Sequence, residues 1–285
     1  MEDANLFALQ QFLVKPPCAV IYALCDAVDG SEAQETVDDL APLLYKLFLA
    51  HNREVELLNT LLSREVATTL DSCTLLRRNS LATKVLAHFL KDVGKDYLVK
   101  VLRQPLEFVV QFKNGFELDP NRMEKDEDAC ENAMNLQTIT QQFMSAVLDT
   151  LDELPPQLRH VCQHLHENVS KHFPGSEVAS IGSLLFLRYT CPAIVAPEVA
   201  GVITPKDVKL SKRDRRCLIL VSKVIQNIAN GIVSFKEENM KALDHYLVSS
   251  VSRVDNYLLA VSVYTYVLFP CHVIVDTVMG ILDIS

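Results

Sequence analysis

The sequence predicts an all-α protein folded as a single domain, and three observations carry that expectation. Glycine is scarce, with 8 residues in 285, and proline is modest at 12, so the turn punctuation a β-sandwich needs about every 8 to 12 residues is missing. Apolar residues recur at helical rather than alternating spacing along nearly the whole chain. Apolar residues make up 49% and charged residues 22%, which supplies a sizeable core and excludes a disordered or collagenous chain. Length alone admits two domains or one large one; the elements decide for one.

Residues 53–71 and 83–93 read as helices on either side of a short polar loop, CTLLRRNSLATK at 73–84. The stretch 113–130, KNGFELDPNRMEKDEDAC, is the only linker-like segment, yet periodic helices flank it, so it reads as a long polar connection within one domain. From Leu136 to Leu151 the apolar residues form one stripe, closed by Pro155-Pro156. The next helix carries Leu158, Val161, Cys162, Leu165 and Val169 on one face and ends near Phe173-Pro174-Gly175. The proline pair is expected to separate antiparallel neighbours.

Segment 176–195, SEVASIGSLLFLRYTCPAIV, is apolar on nearly every side, as expected of a helix packed on several faces. Arg188 interrupts it. A buried guanidinium is costly unless its donors are used, so Arg188 either snorkels to solvent or ties down a neighbouring loop. The strongest helix is 211–230, where Ser211 and Asp214 form a capping-box pattern, Cys217, Leu220, Val221, Val224, Ile225 and Ile228 form the stripe, and Gly231 supplies a stop.

Several functions are excluded or disfavoured. A formal charge of -9 argues against nucleic acid bound over a broad face, where a basic domain is expected. The eight cysteines are scattered without a C-x-x-C pair, which points to free, mostly buried thiols, a reducing compartment and a cytoplasmic location. The N-terminal MEDANLFALQ has acids where a signal peptide carries its basic region, so secretion is not expected. No Gly-rich phosphate loop, HExxH or GxSxG is present.

The loop at 73–84 resembles the L-F-R-x-N-S-L-A-S/T-K arginine-finger loop of the Ras GTPase-activating proteins, and FLRYTCPAIVAP at 186–197 is similar to that family's F-L-R-x-x-N-P-A-I motif. FELDPNR at 116–122, PPQLRHVCQHL at 155–165 and SKVIQNIAN at 222–230 are further matches, most similar to the neurofibromin branch. The five motifs are colinear and the resemblance spans about residues 50–263. It implies one elongated helical domain with a catalytic core at 51–263, preceded by a helical extension at 1–50 packed on that core and followed by an apolar helical tail at 264–285.

The resemblance further implies a GTPase activator rather than an enzyme in its own right, one that binds a Ras-type small G protein in its GTP state and accelerates hydrolysis by an arginine supplied in trans. No cofactor of its own is implied, since GTP and Mg²⁺ are carried by the G protein. Negative charge around the β- and γ-phosphates is stabilised by the inserted guanidinium, which in Ras-type systems is known to contribute about 10³ to 10⁵ in rate. That corresponds to about 4 to 7 kcal/mol. Aligning the motif on Leu75 to Ser80 makes Arg77 the finger and Arg78 the variable position. Arg188 matches the arginine that braces the finger loop. Asn79 and Lys84 complete the finger motif, while Lys223, Gln226 and Asn230 match positions lining the G-protein groove. Ser80 and Thr83 are expected to cap the helix that follows.

Three positions depart from the pattern: Leu76 replaces phenylalanine behind the finger, Cys191 stands where asparagine is commonest, and Ile219 occupies a position that is lysine in neurofibromin. Six basic residues cluster at 206–216; the lysines 206, 209 and 212 are expected to steer association with an acidic partner surface or anionic lipid, and Arg215 and Arg216 to be solvated charge. A monomer, with peripheral recruitment to the inner face of the plasma membrane, is expected. The competing readings are a non-catalytic G-protein-binding scaffold of the same fold, a membrane span at 257–275, and a metal site at Cys162, His164 and His166.

Overall fold

Helix boundaries fall close to where the apolar periodicity ends. The computed structural model describes residues 19–28, 34–204 and 206–263, with Gln10 and Leu13 besides. Its helices are α1 (Ala19–Val28), α2 (Gln34–Ala50), α3 (Glu54–Thr68), α4 (Leu81–Val93), α5 (Lys95–Gln111), α6 (Ala129–Leu148), α7 (Pro156–His172), α8 (Glu177–Val195), α9 (Lys212–Ala229) and α10 (Asp244–Val263). No strand occurs among the described residues, so the fold is all-α. The expected tail at 264–285 lies outside the described residues, as does most of the candidate span at 257–275; its first part ends α10, where Tyr257, Leu258 and Val261 are buried.

Local chemistry explains the start of the two helices nearest the candidate site. Ser80 caps α4 and exchanges hydrogen bonds with Thr83, so the helix begins at Leu81, two residues before the periodicity suggested. At α9 the predicted capping box is made: Asp214 N–H donates to Ser211 Oγ at 3.1 Å and Ser211 N–H to Asp214 Oδ2 at 2.8 Å. The α9 stripe is buried from Cys217 to Ile228, each fully buried Leu, Ile or Val contributing about 1.5–3 kcal/mol.

Helix α8 is the central element, packed against α4, α7, α9 and α10. That is why its sequence is apolar all round. It has the length and composition of a membrane-crossing helix, but 67% of its apolar window is buried inside the protein. Residues Ser183–Thr190 wind as a π-helix between two α-helical stretches, and such bulges rotate the side chains beyond them relative to a regular helix. At Gly182 an added Cβ would lie 2.8 Å from the Ala229 carbonyl oxygen, so any larger residue would force α8 away from α9.

One expectation about packing is corrected. Helices α6 and α7 do not pair as antiparallel neighbours; α6 packs chiefly on α5 and α9, and α7 on α3, α8 and α10. The connection is longer than the prolines suggested, because a short 3₁₀ turn at Leu151–Glu153 precedes them. The polar connection after α5 packs against the helices. Phe116, Glu117 and Leu118 are buried, and Glu117 pairs with Arg216 of α9 through hydrogen bonds of 2.7 and 2.9 Å.

Candidate functional site

The loop between α3 and α4 is built from its ends inward. Thr69 closes α3, its hydroxyl donating to the Glu65 carbonyl at 2.6 Å. Asp71 accepts from the Cys73 N–H at 2.9 Å and starts the 3₁₀ turn Ser72–Thr74. Leu75 and Leu76 are each 1% exposed and anchor the loop in the core. Leu76 adopts φ +60°, a left-handed conformation that costs a non-glycine residue about 1–2 kcal/mol. Two buried leucines facing inward turn the next residue, Arg77, outward.

Arg188 holds this shape. From the π-helical stretch of α8 its Nε donates to the Leu76 carbonyl at 2.6 Å and its Nη2 to the Arg78 carbonyl at 3.2 Å. The two acceptors flank Arg77. Thr83 Oγ1 also donates to the Arg78 carbonyl, at 2.9 Å, and Ser176 Oγ, just ahead of α8, donates to Ser72 Oγ at 3.1 Å. Burial pulls the Arg188 pKa below its usual value, partly opposed by the charge of Glu65. Of the two residue-level readings of Arg188, the geometry is that of a loop tie.

Glu65, 5% exposed in the last turn of α3, escaped the sequence reading. Its carboxylate lies 3.9 Å from Arg78 Nη2, at the limit of an ion pair and too long for a hydrogen bond. A signal existed: a carboxylate at a helix C-terminus opposes the macrodipole, and its presence there asks for a nearby cation.

Exposed Arg77 donates through Nη2 to Asn230 Oδ1 at 3.2 Å. Asn230 ends a stripe on α9 that runs through Ile219, Lys223 and Gln226, spaced so that all four share one helix face. Lys223 pairs with Glu237 at 2.7 Å, another partner the sequence reading missed. Gln226 Nε2 donates to Ser222 Oγ at 3.1 Å. Ile219 is 46% exposed, so its departure from lysine falls on this open face. Asn79 is exposed beside Arg78. Lys84 goes elsewhere: its ammonium pairs with Asp38 of α2 at 2.8 Å. Cys191 is fully buried, its Sγ 3.8 Å from the Ser222 carbonyl, and burial pushes its thiol up to about 12.

The basic cluster at 206–216 divides differently from the expectation. Arg215 pairs with Glu198 at 2.7 Å, and Arg216 with Glu117. Arg213 donates to the Phe112 and Asn114 carbonyls and lies 4.5 Å over the Phe116 ring. Arg213 and Arg216 tie α9 to the connection after α5, whereas Arg215 keeps to the expectation of solvated charge, 49% exposed in a surface ion pair. Burial alone would raise the Glu117 carboxyl, but hydrogen bonds from Arg216 and from the Asp119 and Leu118 N–H groups hold it below the usual carboxylate range. Lys206, Lys209 and Lys212 are exposed.

The metal reading fails among the described residues, which contain no group of three candidate ligands. Cys162 is fully buried and its thiol is pushed far up by burial; His164 Nε2 is engaged with Ser63 Oγ at 2.8 Å and the Asn59 carbonyl at 3.0 Å. Among the described residues the cysteines form no disulfide; Cys73 and Cys130 are exposed, while Cys25, Cys162, Cys191 and Cys217 are buried.

Fold and site together define an all-helical module that presents a braced arginine loop beside an open, polar-edged helix face. Residues 57–133 and 123–230 match the family described as GTPase-activator protein for Ras-like GTPase. The chain belongs to this Ras GTPase-activating protein family. It is 33% identical over 242 residues to human "RasGAP-activating-like protein 1", covering 77% of this chain and 30% of that protein. It is 28% identical over 220 residues to the Dictyostelium discoideum "Probable Ras GTPase-activating-like protein ngap", covering 75% and 25% respectively. To the Saccharomyces cerevisiae "Inhibitory regulator protein IRA1" it is 28% identical over 267 residues, covering 90% of this chain and 8% of that protein. The chain therefore matches a third or less of the length of these relatives.

Proposed function

We propose that this domain binds a Ras-type small G protein in its GTP state and accelerates hydrolysis by inserting Arg77 as an arginine finger. One observation carries the reading most: the guanidinium of Arg188 grips the carbonyls on both sides of Arg77, so that residue stands on an ordered rather than a floppy loop. Pre-ordering removes entropy that would otherwise be lost on reaching the transition state. A planar, permanently charged fork suits phosphate oxygens, and in a water-excluded site its charge acts most strongly as negative charge develops. The hydrogen bond to Asn230 parks the side chain beside the α9 face in the free protein and is exchanged for phosphate contacts in the complex.

In this reading Arg188 positions the loop, Arg78 and Asn79 border the finger, and Lys223, Gln226 and Asn230 form the floor that meets the G protein. Lys84 contributes by fixing α4 against α2 rather than by touching the partner. The domain needs no cofactor, GTP and Mg²⁺ arriving with the G protein. Within the family we assign it to the neurofibromin branch on its FELDPNR, PPQLRHVCQHL and SKVIQNIAN segments. It acts as a cytoplasmic monomer recruited peripherally to the inner face of the plasma membrane.

The test is single-turnover GTP hydrolysis at saturating domain over a panel of Ras and Rap proteins. Arg77→Ala is expected to keep binding to the GTP-loaded partner and to slow hydrolysis at least about a hundredfold; Arg78→Ala is expected to cost little. A large loss with Arg78→Ala and none with Arg77→Ala would move the finger by one residue. No loss with either would make the protein a non-catalytic binder.

A further inference from the structure

A pocket of about 340 Å³ lies between α4, α5 and the end of α8, with Arg188 on its lining. Its walls are apolar, chiefly Leu90, Leu98, Pro192 and Ala193. In a chain of net charge -9, no carboxylate lines it among the described residues. The charged residues on its described lining are three cations: Lys91, Lys95 and Arg188. Neither lysine has an ion-pair partner among the described residues, and Arg188 uses two of its five donors on the loop carbonyls.

An apolar groove open to solvent and lined by charges of one sign has the chemistry of a ligand site. The volume admits on the order of ten water-sized or methylene-sized groups. We propose that this pocket binds an amphipathic anion, an aliphatic body of about ten carbons bearing a carboxylate, and that its occupancy loosens the finger loop. The body fills the apolar walls and the headgroup is held by Lys91 and Lys95. The same headgroup competes with two neutral carbonyls for the Arg188 guanidinium, because a charge-assisted partner is the stronger acceptor. The regulatory half rests on the bracing role given to Arg188 above; the binding half does not.

Decanoate is the probe, with decanol and inorganic phosphate as the two halves of the ligand separated. Titration calorimetry of the domain alone is expected to give a dissociation constant below about 1 mM for decanoate, corresponding to more than about 4 kcal/mol, and at least tenfold weaker binding for decanol or phosphate. Lys91→Gln with Lys95→Gln is expected to weaken decanoate at least fivefold. Ala87→Phe, at an exposed lining position, is expected to block it while the melting temperature stays within a degree or two. No heat and no chemical-shift change up to several millimolar decanoate would overturn the site, as would binding indifferent to all three substitutions.

Decanoate is further expected to slow single-turnover hydrolysis severalfold with the parent domain and not with the double lysine variant. Binding without that slowing refutes the coupling to the loop and leaves the ligand site standing. A domain with no activating ability at all would fail the proposed function instead, and the calorimetry would still decide the pocket. Sedimentation with phosphatidylcholine vesicles carrying phosphatidylserine separates the sources: loss of co-sedimentation on Ala87→Phe assigns the anion to a bilayer, and decanoate binding without vesicle binding assigns it to solution.

Discussion

Replacing Arg188 by alanine removes two donors from the loop that carries Arg77 at once, and its cost can be worked out from the geometry. A hydrogen bond with one charged partner contributes about 1.5–3 kcal/mol. The 2.6 Å bond to Leu76 counts near the top of that range, whereas the 3.2 Å bond to Arg78 counts for less, since Thr83 still serves the Arg78 carbonyl at 2.9 Å. Removing a half-buried charge also returns part of its desolvation cost. The net loss to the ordered loop is about 2–3 kcal/mol, and the left-handed strain at Leu76 then favours opening rather than being held in check.

At 1.36 kcal/mol per tenfold, that loss lowers the population of the competent loop by roughly 30- to 160-fold once other conformations compete. Saturating single-turnover hydrolysis with Arg188→Ala is expected to slow by that amount. Each kcal/mol lost globally lowers the melting temperature by about 2–4 °C in a domain of this size, so the variant is also expected to melt several degrees lower. Arg77→Ala, exposed and outside the packing, is expected to leave the melting temperature unchanged. Arg188→Lys keeps the charge but not the fork, and is expected to fall between parent and Arg188→Ala. A rate within threefold of parent for Arg188→Ala would refute the brace. A full rate loss at unchanged melting temperature would mean that Arg188 acts on the nucleotide instead.

Charge reversal at Lys206, Lys209 and Lys212 is expected to slow association with the G protein at low salt while sparing hydrolysis in the formed complex, because steering acts on encounter; stopped-flow rates with unchanged salt dependence would count against it. Glu117→Gln is expected to lower the melting temperature at neutral pH and to flatten the acid limb of the stability curve. The folded Glu117 pKa lies below its unfolded value, so its contribution is present above about pH 4.5 and is lost as pH falls through the folded pKa; an acid limb identical to parent would refute this. His164 is held neutral by burial, with its folded pKa below the usual 6.5. Its stabilisation is therefore complete above about pH 6.5 and declines as pH falls toward the folded value. The His164→Gln variant should lose that pH dependence in thermal melts between about pH 7 and 5.

Helices whose ends and stripes are written in short-range chemistry are legible without the fold, as at α9: the capping pair Ser211 and Asp214, the stripe from Cys217 to Ile228, the stop at Gly231. The sequence also marks the loop at 73–84 through a motif whose residues lie within a dozen positions of one another. What it left open were pairings across long stretches of chain, since the spacing of residues along one helix says nothing about which helix it meets. Arg188 reaches a loop more than a hundred residues away, and only the packed fold decides between tying and snorkelling. Arg216 looks like solvated charge until Glu117 is brought beside it. Lys84 belongs to the finger motif in sequence, yet α2 lies against α4 and Asp38 takes its ammonium. The pairing of α7 is illegible for the same reason: adjacency in sequence is not adjacency in space, and the apolar stripe of α7 packs against α3, α8 and α10.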